Sequence, residues 1–489
     1  MSGKNGKLGV ISLAALVVSA MIGGGIFSMP QNIAQNASAL AVIAAWIITG
    51  VGMFFLANTF RILAAARPDA TTGIYAYARE GFGRFAGFQI AWAYWLCNIF
   101  GNVAYAVLLM DALNYFFPGT FTGGNNLWSI LGGSLVIWLM NFAVLRGTRQ
   151  AAGINTIGTM CKLLPLCIFI LIMLAVFRWK VFTCDFSGTA DLPALHDRPL
   201  GSFLDQIKST MMVTLWAFIG IEGAVVVSAG ASSQKAVGRA TMVGFLGCLS
   251  IYVLLSLLPF GRMSQGELAL LPNPSTAELL QDVVHARWGG VIMNLGVIIA
   301  ILTSWLAFTI MIAQIPYAAA LDGTFPGVFR HTNGNGAPDV SLWVTSGVMQ
   351  LTMILVYFAN NAWNTMLSIT SVMILPPYLA CTLYLWELCR RKQYPDGTGA
   401  SAMFAAVCGG AGSLYALWMI YAAGLKYLAL AFIVLVLGIP VFIWARRDTR
   451  MEQHDNEPYF TKAELCGAVL IAAIAVAVLI AALAGGIQL

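Results

Sequence analysis

An acidic residue inside an apolar run is the most informative chemical feature of this chain. Glu222 ends the run that begins at Trp216, and it stands between Gly220 and Gly223. A carboxylate at membrane depth is costly unless it faces a wet cavity or a partner, so an ionisable residue there indicates a transport pathway. The neighbouring glycines are equally informative, because a helix can open where glycine removes the conformational restraint of a side chain.

A second glycine-rich break interrupts the first apolar segment at Gly23, Gly24 and Gly25. Breaking a helix there frees backbone N–H groups of its second half, which attract a carboxylate. In the other break, freed carbonyls around Trp216 and Ile219 would suit an ammonium group. Glycine-interrupted segments in corresponding positions of two halves are the best sequence indication of a transporter binding site. Close helix packing is the alternative explanation for such glycines.

Lys162 is the other charged residue deep in an apolar segment. A buried ammonium needs acceptors or releases its proton, and lysine does the latter readily when desolvated. Two roles follow: a fixed positive strut, which we favour, or a group that titrates during transport. Glu222 is then a gate element or a proton-sensitive switch, and a direct pair with Lys162 is a further option.

The composition places these residues in a membrane. The chain has 489 residues, of which 59% are hydrophobic and 9% charged, whereas soluble domains have about 25% charged residues. A membrane helix needs about 20 mostly apolar residues. Thirteen segments meet this requirement: 8–28, 39–63, 86–112, 126–145, 155–178, 209–230, 239–260, 289–320, 339–358, 362–388, 401–423, 426–445 and 463–487.

The distribution of cations predicts the orientation in the membrane. With thirteen spans, 18 of the 26 Lys and Arg residues fall on the side of the N-terminus and seven on the other side. Because cytoplasmic loops carry the excess of positive charge, we predict a cytoplasmic N-terminus. The net charge of +6 therefore reflects orientation in the membrane and does not indicate a nucleic-acid partner, so membrane lipids and a small-molecule substrate are the expected partners.

The positions of the breaks predict the domain organisation. Residues 1–178 hold the first five spans, residues 209–390 the second five, and residues 401–489 the remaining three. Because five is odd, the first and sixth spans enter the membrane from opposite sides, which makes the two sets inverted repeats. We thus predict an all-α integral membrane protein with an inverted 5+5 helix core, broken first and sixth helices, and peripheral C-terminal helices.

Enzymatic and ATP-driven activities are not supported by the sequence. The four histidines fall in predicted loops, no His, Cys, Asp and Glu set has metal-ligand spacing, and no glycine-rich loop precedes a Lys-Ser/Thr pair. We therefore predict no catalytic residue, no metal and no cofactor.

Three segments resemble a known transporter family. Residues Val18–Pro30, Trp216–Glu222 and Ala318–Pro326 are similar to motifs of the amino acid–polyamine–organocation superfamily, and specifically of its basic amino acid/polyamine antiporters. The similarity covers residues 8–445. The thirteenth span and Lys162 make the chain most similar to the arginine/ornithine antiporter branch, since the familiar arginine/agmatine exchangers have twelve helices. The resemblance implies a multi-pass protein of the bacterial cytoplasmic membrane.

The resemblance also implies a set of substrate-binding residues: Met21, Gly23, Gly24, Gly25, Asn98, Asn102, Trp216, Ile219, Trp305 and Ser368. The three glycine amides would bind the substrate carboxylate, although Gly24 replaces a serine found in some relatives. Carbonyls of Met21, Trp216 and Ile219 would accept from the α-ammonium group.

Further roles are implied for individual side chains. Trp216 would cover the substrate from outside, and Trp305 would stack on a cationic side chain. Asn102 would bond the distal group of the substrate, and Asn98 would affect selectivity. Lys162 would replace a sodium ion, with helix-1 carbonyls around Gly23 and Ile22 as its partners.

Several functions remain open from the sequence. The leading one is exchange of basic amino acids, such as arginine for ornithine, by alternating access. A proton-coupled amino acid symporter that uses Lys162 or Glu222 is one alternative, and a membrane scaffold without transport is another. Lysine, histidine, agmatine and putrescine are further candidate substrates, and the resemblance allows a homodimer.

Overall fold

The protein is all-helical in the computed structural model, which describes residues 8–70, 73–188, 200–228, 231–359, 362–453 and 458–483. Within these ranges the only β-type pairing is an isolated bridge between Leu8 and Ala231. The α-helices are α1 (Val10–Met21), α2 (Met29–Ala34), α3 (Ala39–Ala66), α4 (Ile74–Phe82), α5 (Arg84–Asn114), α6 (Leu127–Leu145), α7 (Thr148–Val176), α8 (Trp179–Phe182), α9 (Phe203–Phe218), α10 (Gly223–Val226), α11 (Gln234–Leu257), α12 (Gln265–Ala269), α13 (Ser275–Val284), α14 (Arg287–Leu321), α15 (Asp339–Val356), α16 (Ala362–Met373), α17 (Leu375–Arg390), α18 (Ala402–Ala423), α19 (Leu425–Val436), α20 (Gly438–Gln453) and α21 (Lys462–Leu483).

The helices account for most of the predicted membrane spans. Within the described ranges, eleven are long and apolar enough to cross a membrane, and a bent pair at the start of the chain raises the number to twelve. The predicted twelfth segment, 426–445, does not form one long helix, because it is divided at Leu437 into α19 and α20. The expectation of an all-α membrane protein is confirmed, whereas the described residues form up to twelve spans instead of the predicted thirteen, because the segment 426–445 is divided.

Side-chain caps fix where several of the long helices begin. A hydroxyl or amide oxygen at the N-cap accepts a hydrogen bond from the backbone N–H three residues later, which satisfies a donor that has no partner inside the helix. The residues with this role are Ser38, Asn126, Ser202, Ser233 and Ser401.

Burial separates a central group of helices from a lipid-facing one. In α5 and α14, 78% of the most apolar window is buried, and in the α9–α10 segment the share is 83%. The corresponding share is 28% in α6 and 17% in α21. The central helices therefore form the protein interior, while the outer ones present Leu, Ile and Phe side chains to the surrounding apolar phase.

The first span is broken where the glycines predict it. α1 ends at Met21, a 3₁₀ turn follows over Gly24–Ser28, and α2 continues after it. The two halves are bent by 46° relative to each other. Pro30 lies in the first turn of α2, where the missing N–H of proline has no helical partner to lose.

The sixth span is broken as well. α9 ends at Phe218, Ile219 is extended with φ −60° and ψ 128°, and α10 begins at Gly223 with Glu222 as its N-cap. Gly220 has φ +107°, a backbone conformation that residues with a side chain rarely adopt. A methyl group on Gly220 would lie 2.6 Å from Cβ of Ala20, so the two breaks are in direct contact.

We expect Gly220→Ala to destabilise the protein by about 2–5 kcal/mol, because it combines backbone strain with overpacking against α1. The measurement is the apparent melting temperature in detergent. Gly247→Ala is the matched control, since this α11 glycine has no neighbour within 4 Å of an added Cβ. Equal melting temperatures for Gly220→Ala and the wild type would contradict the strained geometry of the break.

Candidate functional site

The two breaks border a narrow cavity of about 20 Å³. A single water needs roughly 10–15 Å³ of such space, so an amino acid enters only if the surrounding side chains move. The cavity is lined by residues of α1, α5, α9, the break after α9, α14 and α16: Ala20, Met21, Asn98, Gly101, Asn102, Tyr105, Trp216, Ile219, Phe308 and Thr370. These residues come from both halves of the chain.

Half of the residues predicted for the substrate line this cavity. They are Met21, Asn98, Asn102, Trp216 and Ile219. These residues are distant in sequence. They meet because α1 ends at Met21 and α9 at Phe218, and both ends lie beside the middle of α5.

The three consecutive glycines lie behind the lining, under side chains of other elements. A methyl group on Gly23, Gly24 or Gly25 would lie 2.2, 2.2 or 1.9 Å from side-chain atoms of Tyr105, Ile301 and Trp216, respectively. Any side chain at these positions would therefore displace a neighbour. The glycines allow close packing and a broken helix at once, so the two interpretations of the motif do not compete.

Trp305 and Ser368 are near the cavity without lining it. Trp305 is fully buried in α14. Ile301 and Phe308 are four residues before it and three after it, which places all three on one face of that helix. Ser368 is half-buried in α16 and precedes the lining residue Thr370 by two positions. The roles of Trp305 and Ser368 in substrate binding stay predictions.

The prediction omitted several lining residues, chiefly Tyr105, Phe308 and Thr370. Tyr105 follows Asn102 by three positions, and Phe308 follows Trp305 by three, so helical periodicity from the predicted residues indicates both. The spacing gives no such signal for Thr370, because the rotation of α16 about its axis is unknown from the sequence.

Polar side chains without partners lie against the cavity. Both amide atoms of Asn102 are buried without a hydrogen bond among the described residues, and the same is true of the Thr370 hydroxyl. Asn98 differs, because its Nδ2 donates to the carbonyl of Tyr94 at 2.7 Å. An unsatisfied buried polar group costs about 1–3 kcal/mol. Such groups are therefore expected where a polar ligand or water completes the hydrogen bonding.

Lys162 is fully buried and holds the end of α1. Its Nζ donates to the Ser19 carbonyl at 2.9 Å, to the Ser19 hydroxyl at 3.0 Å and to the Ser304 hydroxyl at 3.0 Å. The expectation of partners around Gly23 and Ile22 is thus wrong by one turn. The physical reason is that α1 stays helical to Met21, and Ser19 lies in the last turn, whose carbonyls lack intrahelical partners.

Glu222 joins three elements inside the protein. Its carboxylate accepts hydrogen bonds from the hydroxyls of Tyr94 at 2.9 Å and Tyr378 at 2.7 Å. The N–H of Gly220 lies 3.2 and 3.1 Å from the two carboxylate oxygens. These contacts connect the sixth-span break with α5 and α17. Among the described residues no ion pair joins Glu222 and Lys162.

The helix α4 covers the protein on the Glu222 side of the cavity. At its start a methyl group on Gly73 would lie 2.3 Å from Cγ1 of Val225 in α10. Farther along, Arg79 forms an ion pair with Asp322 at 2.7 Å, and the hydroxyl of Tyr75 donates to Asp322 at 3.2 Å. A second polar layer therefore lies beyond Glu222 on this side.

Comparisons with known proteins agree with this architecture. The family model described as "Amino acid permease" matches residues 8–451. A putative amino-acid transporter of Clostridium perfringens is 56% identical over 468 residues, which are 96% of each chain. Proteins named arginine/agmatine antiporter are 54% identical in Chlamydia caviae and 56% in Chlamydia pneumoniae, over 97% of this chain and 96% of theirs.

The match spans both helix breaks, α5, α14 and α16, so it includes all elements that line the cavity. The members of this family are transporters and not enzymes, which confirms the prediction that the chain is not an enzyme. The chain belongs to the amino acid permease family, within the amino acid–polyamine–organocation superfamily suggested by its glycine motifs.

Proposed function

We propose that this protein is a secondary transporter that exchanges cationic amino acids or their amines across the membrane by alternating access. The observation that carries the proposal is the pair of unsatisfied polar side chains, Asn102 and Thr370, against a cavity between two broken helices. A zwitterionic substrate would complete their hydrogen bonding. It would also bond the backbone groups that the breaks leave without helical partners.

The proposed site assigns each end of the substrate to one break. The carboxylate lies at the amides of Gly23, Gly24 and Gly25, and the ammonium group lies at the carbonyls of Met21, Trp216 and Ile219. The remaining contacts involve side chains: Trp216 covers the ligand, Trp305 stacks on its cationic group, and Asn98, Asn102 and Ser368 bind its polar atoms.

The character of the lining supports a cationic side chain held by aromatic rings. None of the ten lining residues is acidic, whereas Tyr105, Trp216 and Phe308 are aromatic. A cation over an aromatic face gains up to about 2 kcal/mol when desolvated. Relatives named arginine/agmatine antiporter add support for arginine. Because those relatives match over nearly their whole length, a thirteenth helix does not favour ornithine over agmatine as the second substrate.

The contacts of Lys162 support exchange over proton symport. Its three hydrogen bonds satisfy the ammonium group, which suits a fixed strut between α1, α7 and α14. Obligatory exchange follows if the empty carrier reorients slowly, because an unpaired polar site is costly to move through a dry protein interior. A symporter would instead need Lys162 or Glu222 to gain and lose a proton in each cycle.

The same proposal includes the larger organisation. Residues 1–178 and 209–390 form inverted repeats that move relative to each other, residues 401–489 pack outside them, and the N-terminus is cytoplasmic in a bacterial inner membrane. The exposed apolar faces of the outer helices would contact lipid or a second copy of the chain.

Uptake into proteoliposomes tests the function. We expect radiolabelled arginine to enter vesicles loaded with arginine, ornithine or agmatine, and to remain outside empty vesicles even under a pH gradient. Comparing the three internal substrates identifies the exchanged pair. Accumulation in empty vesicles under a pH gradient would indicate a symporter, and no uptake under any condition would contradict transport of these substrates.

We expect Trp305→Ala to weaken arginine binding by about 1–2 kcal/mol, the range of a desolvated cation–π contact. Isothermal titration calorimetry on purified protein is the measurement. Trp305→Phe retains a ring and should lose less affinity, while Trp444→Ala, which removes an exposed tryptophan of α20, should change nothing. Wild-type affinity in Trp305→Ala would exclude Trp305 from the site.

We expect Glu222→Ala to change the exchange rate or its pH dependence more than the affinity for arginine. Removing the carboxylate breaks the hydrogen bonds that join the sixth-span break to α5 and α17, while the cavity lining stays intact. Exchange rates and binding constants are measured across a range of pH. Glu278→Ala, at an exposed position of α13, is the control. Wild-type exchange by Glu222→Ala at every pH would reduce Glu222 to a packing residue.

A further inference from the structure

The hydroxyl of Tyr105 occupies a position beside the first helix break. Tyr105 is in α5, lines the cavity and is 5% exposed. Its Oη lies 2.2 Å from the point where a Cβ on Gly23 would be, so the hydroxyl lies directly over the backbone of that glycine. The next residues begin the 3₁₀ turn, whose first N–H groups have no preceding turn to bond.

The O–H group of Tyr105 can donate its hydrogen bond to a new acceptor. The side chain of Ser304 lies beside the Tyr105 hydroxyl. The Ser304 hydroxyl accepts from Lys162 and lies 2.6 and 3.1 Å from the carbonyls of Ser19 and Ile22, to which it donates. Because a hydroxyl has one proton, Ser304 can only accept from Tyr105. A stronger acceptor beside Gly23 would therefore attract the Tyr105 proton.

A substrate carboxylate would be such an acceptor, and the cavity offers few other side-chain donors to it. None of the ten lining residues is Lys, Arg or His, and Lys162 is not among them. The three glycines provide backbone N–H groups only. Hydrogen bonds to charged groups are stronger than neutral ones, so one hydroxyl on the carboxylate has a measurable effect on affinity.

We propose that the Tyr105 hydroxyl binds the α-carboxylate of the substrate, and that it favours amino acids over their decarboxylated amines at this site. The inference deepens the proposed function and rests on it. It increases the selectivity that the glycine amides provide, because an amine such as agmatine has no carboxylate to accept the additional bond from Tyr105. The phenol ring has a separate role in packing, since its centroid lies 6.1 Å from the ring centroid of Phe308.

Affinities of arginine, argininamide and agmatine for the wild type and Tyr105→Phe test the inference by calorimetry. The substitution removes one oxygen and keeps the ring, so the contact with Phe308 is retained. We expect the arginine affinity to fall about tenfold, as for loss of one hydrogen bond to a charged group. The affinities of argininamide and agmatine should change less than about twofold, because neither ligand has a carboxylate.

Tyr415→Phe is the matched control, because this tyrosine is also buried but lies in α18, outside the cavity lining. It should leave all three affinities unchanged. An equal loss for arginine and agmatine in Tyr105→Phe would overturn the inference by assigning the hydroxyl to another part of the ligand, as would no loss for either. The wild-type measurement is read first: if neither arginine nor agmatine binds to it, the proposed function itself fails. If Tyr105→Phe does not fold, a structure of the wild type with arginine bound decides: a Tyr105 Oη within hydrogen-bonding distance of the carboxylate supports the inference, and a longer separation overturns it.

Discussion

The contact between the two helix breaks is the constraint on which the site depends. Gly220 approaches Ala20 so closely that a methyl group would lie 2.6 Å from its Cβ and 3.0 Å from its carbonyl carbon. Unpaired backbone groups are costly in a membrane interior unless they line a cavity or find partners in the protein. Placing two breaks against each other concentrates such groups at one depth. It also explains why the polar lining residues converge there.

Two buried charged residues hold these breaks from opposite ends. Lys162 and Ser304 bond the last turn of α1, while Tyr94 and Tyr378 donate to Glu222 beside Gly220. Each charged residue thus connects a broken helix to a continuous one. A substrate that moved either broken helix would also act on these hydrogen bonds, and alternating access would use such a coupling.

Features that are costly inside a membrane could be predicted from the sequence. Glycine triplets, a carboxylate and an ammonium in apolar segments are all rare, so the breaks at Gly23–Gly25 and around Gly220 could be predicted, as could the burial of Glu222 and Lys162. The rotation of a helix about its axis has no such signal, because every face of a central helix is apolar. For this reason Thr370 was missed, whereas the spacing from Asn102 could have indicated Tyr105. The partners of Lys162 were predicted one turn too far along because α1 stays helical to Met21. The division at Leu437 was missed because hydropathy alone does not detect a bend.

The most direct measurement is a cryo-electron microscopy structure of the protein with arginine bound. We expect ligand density between the end of α1 and the break after α9, with the carboxylate toward Gly23–Gly25 and a polar atom within hydrogen-bonding distance of Asn102. Ligand density at another depth would contradict the proposed site. So would first and sixth helices that are unbroken, with no ligand beside Asn102.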